Sequence, residues 1–312
     1  DRLGHNPRSP VRRPACPASV MNDRLAVLPQ YLLPKQALTT FAGRVASTEG
    51  GAMTTALIRN FVRRYGVNMA EALNPDIASY RTFNEFFTRP LKPGARPLAR
   101  AELICPVDGA ISQFGPIERD QIVQAKGHQY STTALVGGDE ALARTFDDGL
   151  FATLYLSPRD YHRIHMPCDG RLLRMIHVPG ALFSVNPTTA RGVPGLFARN
   201  ERVVCVFERP KGRGTFVLVL VGATIVGSMA TVWHGLVNPP RTGQVRDWHY
   251  DTPQQAPIAL RQGEEMGRFL LGSTVVMLFP KDAAAAKKPL RFNPQWQPAR
   301  PIRFGEAMGD RG

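Results

Sequence analysis

Apolar residues change their spacing once along this chain, and the change divides it. From Met21 to about residue 90 they recur at helical intervals. In AMTTALIRNFVRRY, Met53, Leu57, Phe61 and Tyr65 fall four apart, with Ile58 and Val62 widening the stripe. Arg59 and Arg63 project from the other side, while Arg64 falls beside the stripe and must snorkel or pair. Thr82 and Glu85 in TFNE have the spacing of a capping box and open a short helix carrying Phe83, Phe86 and Phe87. From about residue 100 the pattern shortens to strands, in LICPVDGAISQF, LFATLYLS, GRLLRMIHVPG and RVVCVFER, with one helix-like piece around 138–147. The expected fold is α+β: a helical region over 21–95, an antiparallel-rich β core over 96–280, barrel- or sandwich-like, and a C-terminal tail over 281–312.

One stretch competes with this division. Residues 215–233, TFVLVLVGATIVGSMATVW, are uncharged and reach membrane-spanning length. Gly222, Gly227 and the repeated Val and Thr instead predict two buried strands bent at glycines.

Charge sharpens the reading of the helices. The chain has 39 Lys and Arg against 25 Asp and Glu, a net charge of +14. Such a surface attracts anions, but no basic run is interleaved with aromatics and no nucleic-acid-binding signature is present. An anionic membrane surface is therefore expected well ahead of nucleic acid, and charge alone leaves an acidic ligand open. Met53, Leu57 and Phe61 would insert into the interface while Arg59 and Arg63 meet head groups. Packing of the same helix on the protein's own core is the competing expectation, and both stay open here. Residues 1–20 are Pro- and Arg-rich without an apolar signal-peptide core, so they are expected to be disordered or upstream sequence, with Met21 as the start. Cys16, Cys105, Cys168 and Cys205 are scattered without a C-x-x-C pair, which suits a reducing compartment without structural zinc.

Three places could carry chemistry. In GRFLLGSTVVMLF, residues 267–279, Gly272-Ser273-Thr274 interrupts an apolar run; a turn between two strands would explain it, and so would an exposed nucleophile. YLSPRDYHRIHMPCDG, residues 155–170, holds His162 and His165, whose spacing would suit a metal on a helix. Pro158 and Pro167 bracket the pair and no third ligand is evident, so no metal is expected. CPVDGAIS holds Asp108 in a Pro-x-Asp-Gly turn, where an Asx turn is the plain alternative. A Ser, a His and an Asp together allow nucleophile, base and orienter. No G-x-S-x-G elbow, dinucleotide fingerprint or phosphate loop accompanies them.

Leu271-Gly272-Ser273-Thr274, SPRDYHRIHMP and PVDG, together with SYRTFNEFFTRPL (79–91), LFARNERV (196–203) and VGATIVGS (221–228), resemble the bacterial phosphatidylserine decarboxylase family in the same order. The resemblance runs from about Met21 to Phe279. It implies that the chain cuts itself between Gly272 and Ser273, giving a large β chain and a small α chain. Ser273 becomes a covalent pyruvoyl group, and no external cofactor is needed. The pyruvoyl forms a Schiff base with phosphatidylserine, which loses CO2 to give phosphatidylethanolamine. Asp108, His165 and Ser273 are implied as the self-cleavage triad, with backbone or Thr274 donors for the oxyanion. His162 is implied as the acid that protonates the product, with His165 as the alternative. The implied place is the cytoplasmic face of the cell membrane, held peripherally, and a homodimer is compatible with it. The remaining alternative is a Ser-His-Asp hydrolase that acts on an external ester without cutting itself.

Overall fold

The computed structural model describes residues 17–311 apart from 126, 225–227, 239–240, 255, 271–272 and 283–287. Residues 1–16, most of the stretch expected to be disordered or upstream, lie outside the described residues, and Pro17–Val20 already belong to the first helix. The helices used below are α1 (Pro17–Leu32), α2 (Lys35–Ser47), α3 (Ala52–Tyr65), α4 (Phe83–Phe87) and α5 (Pro187–Gly192). The strands of the two larger sheets are β1 (Gly109–Pro116), β2 (Leu150–Leu156), β3 (Arg163–His165), β4 (Gly170–Val178), β5 (Arg202–Glu208), β6 (Thr215–Val221), β7 (Met229–Thr231), β8 (Gly235–Leu236), β9 (Arg246–His249), β10 (Ala259–Leu260), β11 (Glu265–Phe269), β12 (Ser273–Phe279) and β13 (Pro301–Ile302).

The larger sheet runs β9-β4-β5-β6-β12-β2-β1-β13, with β10 also on β4, and every pairing is antiparallel. It is open at β9 and β13, so the core is sandwich-like rather than a closed barrel. The uncharged 215–233 stretch supplies β6 and β7. Among the described residues no helix is long and apolar enough to cross a membrane.

Strand alternation gives β12 two apolar faces. Val275, Met277 and Phe279 face one core with Leu154, Leu156, Ile164 and Phe269. Val276 and Leu278 face the other, built with Phe183, Val185, Ala190 and Val27 of α1. A smaller sheet, β8-β7-β11-β3, contributes to the first core; α1 and α5 cover the second. Gly192 lets α1 close in, because a Cβ there would sit 2.8 Å from the Asp23 carbonyl oxygen.

Residues 290–311 are woven back into the core rather than trailing as a tail. Leu290–Phe292 and Leu103–Ile104 flank Ala307–Arg311 in a three-stranded sheet, and β13 extends the large sheet.

The N-terminal helices follow the sequence pattern with one rotation. Thr54 and Ile58 are the buried residues of α3, whereas Met53 is 80% exposed and Leu57 42%. Phe61 turns inward and meets Phe83, Phe86 and Phe87 edge-on at 5.1–6.0 Å. Such pairs contribute about 0.5–1.5 kcal/mol each beyond burial, so they anchor α3 to α4. Thr82 caps α4 by accepting from the Glu85 N–H at 3.1 Å, while the Glu85 carboxylate reaches the Arg81 N–H at 2.8 Å.

Candidate active site

The interruption in GRFLLGSTVVMLF is the point where the chain leaves one sheet for the other. β11 lies in the smaller sheet and β12 in the larger, and Ser273 is the first residue of β12. Leu271 and Gly272 lie outside the described residues. Ser273 pairs with Leu156 of β2, but the ladder to β6 starts only at Thr274. Its side chain is fully buried, and its hydroxyl has no hydrogen-bond partner among the described residues. By strand alternation Ser273 shares the face of Val275, toward the smaller sheet, and Thr274 takes the opposite face. The Thr274 hydroxyl is thus poorly placed to serve an oxyanion formed at Ser273.

Asp108 sits on the same end of the large sheet. The glycine after it is required, because a Cβ on Gly109 would lie 2.3 Å from the Tyr155 carbonyl oxygen. Ser273, Leu156, Gly109 and Ile302 therefore form one row across four strands. Two strand spacings put Ser273 about 10 Å from Gly109, Cα to Cα. The Asp108 carboxylate is held by the Arg96 fork, with Nε at 3.0 Å and Nη2 at 2.5 Å, and by the Phe304 N–H at 2.9 Å. Arg96 also reaches Glu71 at 2.7 Å, and the Asp108 bond holds its proton even more firmly than usual.

His165, on β3, lies beside the Asp108 turn. Its backbone N–H donates to the Pro106 carbonyl at 2.9 Å, which ties the smaller sheet to the Asp108 turn. Nδ1 lies 2.9 Å from the Gly263 carbonyl, so it carries the proton. Nε2 is then the lone pair, and it accepts from the Tyr161 hydroxyl at 3.0 Å. The Gly263 carbonyl, not the Asp108 carboxylate, fixes the tautomer. Asp108 acts on the ring through its charge, with Phe304 as a bridge between them: its ring stacks on His165 at 3.8 Å while its N–H holds Asp108. Burial lowers the His165 pKa, and burial keeps the Tyr161 proton in place.

His162 is hydrogen-bonded at the ends of β2 and β11. Its Nε2 donates to the carbonyl of Ser157 at 3.1 Å, the residue next to Leu156, and its own carbonyl accepts from Phe269, four residues before Ser273. Phe87 stacks on the ring at 4.0 Å. Its Nδ1 is buried without a partner among the described residues, and burial, then the Arg89 charge, pushes its pKa down to about 3. His162 and His165 do not pair for a metal, because three residues along extended chain point to different sides and each ring stacks on a different phenylalanine. Cys168 is a buried free thiol whose pKa burial pushes up to about 12.

Comparison with known proteins decides what kind of site this is. The family model described as phosphatidylserine decarboxylase matches residues 83–310, and a second, described as PSD, matches 25–66. A protein of Polaromonas naphthalenivorans (strain CJ2) is 74% identical over 290 residues, covering 93% of this chain and 98% of the relative. One of Dechloromonas aromatica (strain RCB) is 72% identical over 289 residues, and one of Albidiferax ferrireducens 75% over 288, each spanning at least 98% of the relative. All three bear the name phosphatidylserine decarboxylase proenzyme.

The chain belongs to the phosphatidylserine decarboxylase family. For a member of this family, residues beyond the sequence motifs matter at the site. Arg96, Gly263 and Phe304 hold Asp108 and His165 from distant segments, and no local pattern marks them. Tyr161 lies within SPRDYHRIHMP, where a hydroxyl four residues before His165 was the available signal.

Proposed function

We propose that this chain cuts itself between Gly272 and Ser273 and then decarboxylates phosphatidylserine to phosphatidylethanolamine and CO2. The observation that carries the reading is Ser273 itself: a buried, unpartnered hydroxyl on the first residue after a crossing between sheets, inside a family match that spans most of the chain.

In the first stage Ser273 Oγ attacks the Gly272 carbonyl carbon, and the amide C–N bond is exchanged for an ester C–O bond. His165 suits the proton transfer because Gly263 already fixes Nδ1–H, leaving Nε2 as the basic nitrogen. Nε2 must exchange the Tyr161 hydroxyl for Ser273 Oγ. The negative charge of Asp108 favours the imidazolium that results. Elimination across the Cα–Cβ bond of residue 273 then frees the Gly272 carboxylate. Water replaces the nitrogen as ammonia, leaving a pyruvoyl group.

That group supplies a ketone that condenses with the substrate amine and withdraws the electrons released as CO2 departs. The surroundings fit it: position 273 is dry, apolar Leu156 lies opposite, and nothing competes for the oxygen there. His162 is the group to move a proton at the substrate α-carbon. It is neutral as built, with Nδ1 free, so it must take up a proton before giving one.

The N-terminal helices support docking on an anionic bilayer. Leu25, Leu28, Phe41, Val45, Met53 and Leu57 are all exposed there, beside Arg59 and Arg63. The hydrolase alternative lacks the G-x-S-x-G elbow that would present its serine to an external ester.

Intact mass and CO2 release test the reading together. The small chain should run from residue 273 to 312 and weigh one ammonia less than the serine-started peptide. Ser273→Ala should leave one chain with no CO2 release. Active, uncut protein with an unmodified Ser273 would refute it.

A further inference from the structure

Beside the Asp108 turn lies a cavity of about 320 Å³ whose wall includes Arg89, Arg96, Arg159, Arg303, Asp108 and Tyr161. Three of the four arginines have carboxylate partners: Arg96 with Asp108 and Glu71, Arg303 with Glu71 at 3.6 Å, and Arg159 with Asp160 at 3.9 Å. Arg89 has none among the described residues, although its side chain is the most deeply placed. It is 3% exposed, its Nε lacks any hydrogen-bond partner, and its guanidinium lies 5.2 Å over the Phe86 ring with only a long 3.5 Å contact to the Phe86 carbonyl. A buried cation without a counter-ion is costly to keep. It pays when an anion occupies the cavity beside it.

We propose that this cavity binds the phosphodiester group of the lipid substrate and that Arg89 is its charge partner. The inference rests on the function proposed above and adds a recognition site to it. Position supports the assignment, since Arg89 lines the cavity together with Asp108 and Tyr161 and follows by two residues Phe87, whose ring stacks on His162 at 4.0 Å. Chemistry selects the phosphate over the substrate's carboxylate. Decarboxylation discharges the carboxylate in the transition state, so an arginine on it would stabilise the ground state and slow the reaction. The phosphodiester keeps its charge throughout, so pairing it with Arg89 aids binding at no cost to the chemical step. An anion on Arg89 also offsets the positive charge that opposes protonation of His162.

The test uses mature enzyme and phosphatidylserine dispersed in neutral detergent, which removes the contribution of bilayer charge. Arg89→Met should raise KM about tenfold or more while kcat changes far less, as expected for a lost charge-assisted contact. Arg89→Lys should fall between, because it restores the charge without the fork. Glycerophosphoserine should compete with lipid on the wild type far better than L-serine, and that advantage should vanish in Arg89→Met. Competition by inorganic phosphate that is weaker than that of glycerophosphoserine supports a headgroup site. Inhibition by phosphate that is not competitive with lipid would place the anion elsewhere and overturn the proposal. So would an unchanged KM in cleaved, folded Arg89→Met, or glycerophosphoserine competing no better than serine. If Arg89→Met fails to mature, the wild-type competition and Arg89→Lys decide. Should the wild type release no CO2 at all, the proposed function fails separately. Calorimetry of glycerophosphoserine on the uncut Ser273→Ala chain, with and without Arg89→Met, then still decides the cavity.

Discussion

The Phe304 ring lies flat on the His165 imidazole, with centroids 3.8 Å apart and planes 13° apart. A cut between residues 272 and 273 would assign these two residues to different chains, so the small chain supplies one wall of the site in addition to Ser273. Phe304→Leu keeps the backbone N–H on Asp108 and removes the flat surface. A stack of this kind is worth about 1 kcal/mol, so self-cleavage should slow by roughly fivefold. Cell-free synthesis followed by denaturing electrophoresis measures the rate. Equal rates for Phe304→Leu and wild type would show that the ring does not position His165.

Arg96 is the linchpin of the buried charges. Its side chain is 7% exposed and that of Asp108 9%, so Arg96→Met would leave Asp108 with only the Phe304 N–H and Glu71 with only Arg303. Breaking a buried pair by removing one partner costs about 3–5 kcal/mol. Urea unfolding in an uncut Ser273→Ala background should show that loss, with Arg96→Lys losing less. A midpoint equal to the parent's would mean that water reaches both carboxylates.

Met53 and Leu57 separate from Phe61 in what they should do. Met53 and Leu57 are exposed, whereas Phe61 belongs to the aromatic cluster with Phe83, Phe86 and Phe87. Met53→Ser with Leu57→Ser should leave the melting temperature unchanged and weaken binding to anionic vesicles. If each side chain gains about 1 kcal/mol by inserting, the pair together lose roughly 30-fold. Phe61→Ser should instead destabilise the fold by about 3 kcal/mol. Vesicle flotation and thermal unfolding on the same samples distinguish the two. Undiminished flotation of the double variant would exclude this face as the docking surface.

The misplacement of Phe61 shows how far sequence pattern reaches. A four-residue apolar period selects Met53, Leu57 and Phe61, because threonine counts as polar. Thr54 can be buried because its hydroxyl accepts the Gly50 N–H at 3.0 Å, and α3 turns by one position as a result. The long strands of the core were legible from their apolar runs, and Ser273, Asp108 and the two histidines from their motifs. The C-terminal strands were not, because segments of two to five residues carry no measurable period. Nor was the orienting role of Gly263, a backbone carbonyl 98 residues from His165: its φ of 84° favours glycine, but no sequence signal tells which group its carbonyl accepts from.

His162 makes the fold acid-sensitive in a defined window. Burial, and then Arg89, hold its pKa in the folded chain at about 3, against an ordinary value of 6.5. Above pH 6.5 neither folded nor unfolded chain binds the proton, so stability is at its full value. As pH falls below 6.5 the unfolded chain takes up a proton that the folded chain refuses, and stability drops by up to about 1.4 kcal/mol per unit. The loss continues until pH nears 3, where the folded chain protonates as well. His165 is lowered in the same direction and adds to the slope. His162→Gln cannot titrate. In a Ser273→Ala background its stability should therefore fall by about 1 kcal/mol less than the parent's between pH 6 and pH 5. Carboxylates contribute equally to both chains and cancel in the comparison. Parallel stability curves would mean that the His162 ring takes up its proton in the folded chain as readily as in the unfolded one.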